Sequence, residues 1–336
     1  MRSVIKKNGF AKLRFHHFVP WLFFLPVVCM SERPRDFDAY WESEIARMDR
    51  TVPIDFQVET WPKQVAGRDV SLVSVAVSNQ KRIYGFLAVP KEKRSAVYPL
   101  IATVPGAGPG AFAPECFMNC GEVIALTMNV HFYRPGLNAS EQMEKYNAQN
   151  AIYTKEVKGV ALRSAYENHR YAGYTDRDTY FYHDSFLGVH RLLREVIKRS
   201  DVGRVTYAGR SQGGGIGIML AAFTPRISRA LICQPAFCDQ SGVKPGWPFL
   251  VKRAPPVDRS AVAVAAGYYD PVNFAPRVMC KIRVLVGLLD TTCPPESVHA
   301  MYAKLKSPKQ IFDEQGVKHS NPPSFAQNQL WLVADE

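Results

Sequence analysis

A serine set between two glycines, in Gly209-Arg210-Ser211-Gln212-Gly213, is the residue of this chain best placed to act as a nucleophile. It follows the apolar stretch Val205–Ala208 and precedes a run of glycine and aliphatic residues. The Gly-x-Ser-x-Gly pattern between strand and helix predicts a sharp turn that lifts the hydroxyl out of a sheet. The N-terminal end of the following helix favours negative charge beside it. A side chain at 209 or 213 would collide with the neighbouring strand or helix, so both positions must be small. A serine attacks a carbonyl carbon only if a base takes its proton, and the base needs an acid to orient it. On sheets that carry this turn the partners follow in the order serine, acid, histidine.

After Ser211 only His299 and His319 remain. The stretch Lys281–Leu289 is β-branched and aliphatic and reads as a buried strand. It ends at Asp290, and active sites of open α/β sheets gather at the carboxyl ends of strands. Val298, Met301 and Leu305 recur at helical spacing, which commits His299 to a helix. Gln310-Ile311-Phe312 reads as the last strand, and Gly316-Val317-Lys318-His319 as the loop beyond it. A loop can reach back to Ser211, so His319 is the expected base and Asp290 the expected acid. A developing oxyanion also needs donors. Tyr98–Val104 reads as a strand ending in Pro105-Gly106-Ala107-Gly108-Pro109-Gly110. A glycine-rich loop after the third strand supplies one N–H in such sites, and the residue after the nucleophile supplies the other. The expected donors are Ala107 and Gln212. No cofactor or metal is required.

The elements that must position these groups are legible in outline. Phe37, Tyr40, Trp41, Ile45 and Met48 form one face of an amphipathic helix. Strand patterns at about 54–59, 70–77 and 82–89 predict an antiparallel edge. Strands at 98–104, 122–128, 204–208, 230–233 and 282–289, with helices between them, predict a mostly parallel, doubly wound α/β sheet covered on both faces. Phe186, Val189, Leu193 and Ile197 line a helix before the serine turn. The segment 132–180 is polar and rich in tyrosine and asparagine, and is expected to cap the site. With 336 residues, 47% of them hydrophobic, the chain can bury one large core. We expect a leader over 1–31 and one domain over 32–336.

These motifs resemble the acetyl xylan esterase / cephalosporin-C deacetylase family of α/β-hydrolases, from about Asp36 to the end. Asp36-Phe37-Asp38-Ala39-Tyr40-Trp41 is similar to the family's entry helix, and Gly209–Gly215 and Thr224-Pro225-Arg226-Ile227 to its serine turn and the end of the following helix. Most distinctive are Tyr269-Asp270-Pro271-Val272-Asn273-Phe274-Ala275-Pro276-Arg277 and Gly287-Leu288-Leu289-Asp290-Thr291-Thr292-Cys293-Pro294-Pro295. The resemblance implies the α/β-hydrolase fold and a triad of Ser211, Asp290 and His319. Three positions depart from the family pattern. Asn129-Val130-His131 stands in place of its usual Arg-Gly-Gln, Ala107 in place of a common tyrosine, and Ser320 in place of the glutamate after the histidine.

The net charge of +12 invites a nucleic-acid reading, but residues 1–31 hold Arg2, Lys6, Lys7, Lys12 and Arg14 and no acid, which leaves +7 elsewhere. No basic run with interleaved aromatics marks a nucleic-acid face. The basic leader continues into the apolar Phe18–Met30, which fits an export signal and is too short and proline-broken for a stable membrane span. A cytoplasmic protein starting at Met30 is the alternative. Seven cysteines (29, 116, 120, 233, 238, 280, 293) show no metal spacing and read as buried thiols, with Cys233–Cys238 the bridge an exported chain could carry. His131 reads as a hydrogen-bond partner at a strand end, Asp270 as a capped turn, and His183 and Asp184 as the first turn of a helix. Asn138-Ala139-Ser140 is a glycosylation acceptor only in a eukaryotic secretory route.

The expected function is that of a serine carboxylesterase removing acetyl groups from a carbohydrate or similar small alcohol, alone or as a homo-oligomer. A peptidase or a general short-chain esterase on the same fold, and a non-catalytic binding protein, are the alternatives. The first lacks a propeller-sized segment to select peptides, and the last would be missing a triad member.

Overall fold

The computed structural model describes residues 33–335 apart from 64, 93, 116–119 and 163, so the leader, Cys29 and Cys116 lie outside the described residues. Three strands come first: β1 (Gln57–Thr60), β2 (Arg68–Ala76) and β3 (Arg82–Pro90). Six more follow, β4 (Tyr98–Val104), β5 (Ile124–Met128), β6 (Val202–Arg210), β7 (Ile227–Cys233), β8 (Lys281–Gly287) and β9 (Lys309–Glu314). They form one nine-stranded sheet in the order β1-β2-β3-β5-β4-β6-β7-β8-β9. The first three strands are antiparallel and join β5 antiparallel, and every pairing from β5 through β4 to β9 is parallel. The expected mixed sheet is therefore present, with the serine turn on a central strand.

The parallel strands read as continuous apolar runs because both of their faces are covered. Leu100, Ala102 and Val104 of β4 point into one core, while Ile101 between them points into the other. The same alternation holds in β7, where Ala230 and Ile232 face the larger core and Leu231 and Cys233 the smaller. Several strand boundaries differ from expectation: β5 begins at Ile124 rather than 122, β7 at Ile227 rather than 230, and β8 ends at Gly287 rather than 289. β1 begins at Gln57 rather than 54, and all four of its residues are exposed, so no burial pattern marks its ends. β6 runs two residues past Ala208, because Gly209 pairs with Val104 on one side and Arg210 with Cys233 on the other.

Helices α1 (Phe37–Thr51), α2 (Ala139–Ile152), α3 (Phe181–Val196) and α4 (Gln212–Phe223) precede the shorter α5 (Leu250–Arg253), α6 (Arg259–Gly267) and α7 (Pro271–Phe274). Helices α8 (Pro295–Lys304) and α9 (Phe325–Val333) complete the chain. α1 buries Phe37, Tyr40, Trp41 and Met48, the face its spacing predicted. Its C-terminal end is held by Arg191 of α3, which is 2% exposed and donates to the carbonyls of Met48 (3.1 Å), Val52 (2.7 Å) and Ala76 (3.0 Å). The Val52 and Ala76 carbonyls lie at the ends of α1 and β2, where regular structure stops supplying donors, while that of Met48 also accepts the Val52 N–H. α9 covers the opposite face, where Leu332 joins the smaller core. Cys233 and Cys238 are both buried free thiols and form no bridge, because Cys233 faces the smaller core and Cys238 the larger.

His190 on α3 is buried and donates from Nε2 to the Phe223 carbonyl at 3.2 Å. Burial pushes its imidazole down to about 4. Unfolded, a histidine titrates near about 6.5. Between these values the unfolded chain binds a proton that the native state refuses, so the contribution is complete above about pH 6.5 and is lost as pH falls. In His190→Gln the amide keeps the donor but does not titrate. From pH 7 to 4.5 the wild type should lose about 2 kcal/mol more stability than the variant in urea unfolding, from linkage at about 1.4 kcal/mol per pH unit. Equal losses in the two proteins would assign the acid sensitivity elsewhere.

Candidate active site

Ser211 occupies the turn between β6 and α4 with φ 54° and ψ −120°, a conformation that L-residues avoid and that costs about 1–3 kcal/mol. The surroundings hold it there. Its N–H donates to the Cys233 carbonyl at 3.0 Å, and its own carbonyl accepts from Gly215 (3.0 Å) and Ala236 (2.9 Å). The turn closes only because two side chains are missing. A Cβ at Gly213 would lie 1.9 Å from the Val104 carbonyl oxygen, and one at Gly209 would lie 2.5 Å from that of Gly213. Tyr207, fully buried on β6, donates its hydroxyl to the Gly213 carbonyl at 2.6 Å and pins the first turn of α4.

The two predicted partners meet this serine from the ends of later strands. Asp290 follows β8 and is buried; His319 follows β9 with its side chain 24% exposed, so water can reach the ring. His319 Nε2 lies 3.0 Å from Ser211 Oγ, and its Nδ1 lies 2.7 Å from Asp290 Oδ2. A carboxylate only accepts, so Nδ1 carries the proton and Nε2 presents its lone pair to the hydroxyl. The other carboxylate oxygen, Oδ1, accepts from the N–H groups of Thr292 (2.7 Å) and Cys293 (2.9 Å), which stops the acid from rotating away. The histidine loop is tied to the sheet as well, since Gln234 Nε2 donates to the Lys318 carbonyl at 2.6 Å.

Gln212 is the first residue of α4, where a helix leaves its N–H without an intrahelical acceptor. Its side chain receives the Tyr182 hydroxyl at 2.6 Å. Ala107 lies exposed in the loop after β4, on the same carboxyl edge of the sheet. Tyr182, Tyr207 and Gln234 were not among the expected site residues; each acts on a backbone or side-chain group that only the folded chain brings near. Asp290, Cys293 and His319 offer ligand atoms within 4.8 Å of one another. Both oxygens of Asp290 are already taken by three N–H groups, and burial pushes the Cys293 thiol well up. These commitments suit proton transfer better than ion binding.

Other candidates are placed elsewhere. His299 sits on α8 and pairs with Asp313 at 3.1 Å on the surface. Asp270 caps α7, accepting from Asp239, Gln240 and Val272 N–H groups, and burial pushes it up to about 7. His183 lies in the first turn of α3, between Glu44 at 3.0 Å and Asp184 at 3.1 Å. Asn138 caps α2 by accepting from Glu141 at 3.0 Å. His131 is buried at the end of β5, with Nε2 2.8 Å from the Gly108 carbonyl.

With this geometry in view, residues 28–334 match the acetyl xylan esterase (AXE1) family. An acetyl esterase of Xylanibacter ruminicola, Axe7A, is 26% identical over 324 residues, covering 92% of this chain and 70% of that protein. Among solved structures, acetyl xylan esterase 1 of Thermoanaerobacterium sp. JW/SL YS485 superposes with a TM-score of 0.69 at 22% identity, over 92% of this chain and 98% of its own. An acetyl xylan esterase of Paenibacillus sp. R4 gives 0.70 at 20% identity, over 92% and 99%.

The contact of Gly213 with the Val104 carbonyl predicts a sharp response to one methyl group. Gly213→Ala should destabilise the protein by about 1–3 kcal/mol or more by overpacking, and any folded fraction should lose at least about tenfold in ester hydrolysis. Chemical denaturation alongside an activity assay reads both. Wild-type stability and turnover in this variant would mean that the turn is looser than the 1.9 Å approach requires.

Proposed function

The chain belongs to the acetyl xylan esterase family, and from that premise we propose that it is a serine esterase removing acetyl groups from carbohydrate or similar small-alcohol esters. The observation that carries this reading is the continuous hydrogen-bonded path Ser211–His319–Asp290, at 3.0 and 2.7 Å. Ser211 Oγ attacks the acetyl carbonyl carbon as its proton passes to His319 Nε2, and the carbonyl electron pair moves onto oxygen. The N–H groups of Gln212 and Ala107 receive that oxyanion; in comparable sites the loss of one donor costs about 2.7–4 kcal/mol. Collapse re-forms the carbonyl and breaks the bond to the alcohol, which leaves with the proton from His319. Water then enters over the exposed edge of the imidazole and gives its proton to Nε2. Attack on the acyl-enzyme releases acetate and restores Ser211. Asp290 keeps the ring in one tautomer throughout and stabilises the imidazolium.

The basic and apolar leader fits an exported enzyme, part of the same proposal. Among the described residues no helix is long and apolar enough to cross a membrane. A fluorophosphonate probe should label wild-type protein and leave Ser211→Ala unlabelled, which separates an esterase from a binding protein on the same fold.

Ser211→Ala and His319→Ala should each reduce turnover of an aryl acetate by about three orders of magnitude or more, and the double variant should be little worse than either. Should His299→Ala abolish turnover while His319→Ala retains it, the base has been misassigned.

Acyl-chain length tests the substrate class. Each added methylene could gain about 0.8 kcal/mol of burial, but only where the pocket has room. An acetyl-sized pocket rejects longer chains by collision, so acetyl esters should outrun butyryl esters, with octanoyl poorer still. Ala107 stands where relatives commonly carry a tyrosine, and Ala107→Tyr should sharpen the preference. Faster hydrolysis of octanoyl than of acetyl esters would replace the deacetylase reading with a general lipolytic one.

A further inference from the structure

The loop that follows β4 is built to move and is not free to. Glycines at 106, 108 and 110 remove the side-chain restraints on its backbone, with Gly108 at φ 153° and Gly110 at φ 79°. Yet its carbonyls are gripped one after another by side chains of the segment beyond β5. His131 Nε2 donates to the Gly108 carbonyl at 2.8 Å, and the Tyr133 hydroxyl donates to that of Pro109 at 2.5 Å. Gln142 Nε2 reaches the same Pro109 oxygen at 2.5 Å. Asn129 pairs with both backbone groups of Ala111, accepting at 2.7 Å and donating at 2.9 Å. The packing is close enough that a Cβ on Gly110 would sit 2.7 Å from Asn129 Oδ1.

The hydrogen bonds of His131 run in one direction. The Phe132 N–H donates to Gln149 Oε1 at 3.2 Å, which turns the Gln149 Nε2 towards His131 Nδ1 at 2.8 Å. Nδ1 therefore accepts, and the proton lies on Nε2, facing the Gly108 carbonyl. Protonating Nδ1 would set two donors against each other. The ring is fully enclosed, stacked on Tyr133 at 5.1 Å and edge-on to Tyr146 and His169, with Arg170 nearby to disfavour a second positive charge. Burial pushes it down to about 4, so the donor to Gly108 persists through neutral pH.

We infer that His131, with Tyr133, is a positioning residue of the reaction, locking the 106–111 loop so that the Ala107 N–H meets the oxyanion without rearranging. An N–H stabilises a transition-state charge fully only if it is in place before the charge develops. The inference rests on the reading of Ala107 as an oxyanion donor given under Proposed function.

The test is steady-state hydrolysis of an aryl acetate by His131→Ala, His131→Gln and Tyr133→Phe, with Ser211→Ala in parallel and melting curves for all. His131→Ala should lower kcat by about 30- to 300-fold with KM within about threefold, because the loss is confined to the transition state. His131→Gln, whose amide can still donate to Gly108, should recover at least about tenfold of that loss. Tyr133→Phe keeps the ring and removes one bond, and should cost about three- to tenfold in kcat. Folded His131→Ala with wild-type kcat, or with its whole effect in KM, overturns the inference. If His131→Ala does not fold, unchanged kcat in Tyr133→Phe overturns it alone. Turnover retained in Ser211→Ala would instead sink the functional reading and leave the cause outside the loop.

Discussion

Everything at the carboxyl edge of the sheet depends on the backbone of Ser211 standing at positive φ. That conformation is unfavourable locally and exists because β6 stays paired with β4 to Gly209 and with β7 to Arg210, while α4 starts at the residue after the serine. Only Ser211 lies between β6 and α4, so no further residue can relax the turn. The hydroxyl is thereby raised above the strand ends, where Asp290 and His319 approach from the side on which the sheet continues through β8 and β9. The strain at one residue is held by hydrogen bonds to Cys233 of β7, Gly215 of α4 and the buried loop residue Ala236.

The residues of the path from serine to acid are legible in the sequence. Gly209 and Gly213 flank Ser211 because a tight turn forbids side chains there, and the strand-like Lys281–Leu289 delivers Asp290 to a strand end. His319 could be preferred to His299 because a histidine on a helix cannot turn to meet a distant nucleophile, and His299 indeed faces Asp313 instead. What could not be read was anything that depends on two distant segments touching. Tyr182 meets Gln212 across thirty positions of sequence, and no pattern around either residue announces it. The same holds for the cysteines: only the pleat of β7 sends Cys233 into one core and leaves Cys238 in the other. β1 escaped prediction at its N-terminal end for a different reason, since a fully exposed strand has no hydrophobic alternation to mark it.

Several buried polar side chains share one task, which is to hold backbone groups. Arg191 grips the carbonyls behind α1, Gln234 the loop of His319, and Asp270 three N–H groups around the start of α7. In each case a flexible connection is converted into part of the scaffold without a new strand or helix. This suits a site whose groups come from loops, because loops vary freely in sequence only where nothing inside them must stay still.

His319 hangs from β9, the last strand to join the sheet and one in which no residue is fully buried. A parallel edge strand with one neighbour is among the parts of a sheet most ready to open locally. Ser211, by contrast, is anchored between central strands. The proposed nucleophile and base thus sit on strands of unequal security, one central and the other at an edge of the sheet. Fraying of that edge under stress would silence the proposed reaction by carrying His319 away, while the turn at Ser211 keeps its hydrogen bonds to Cys233, Gly215 and Ala236.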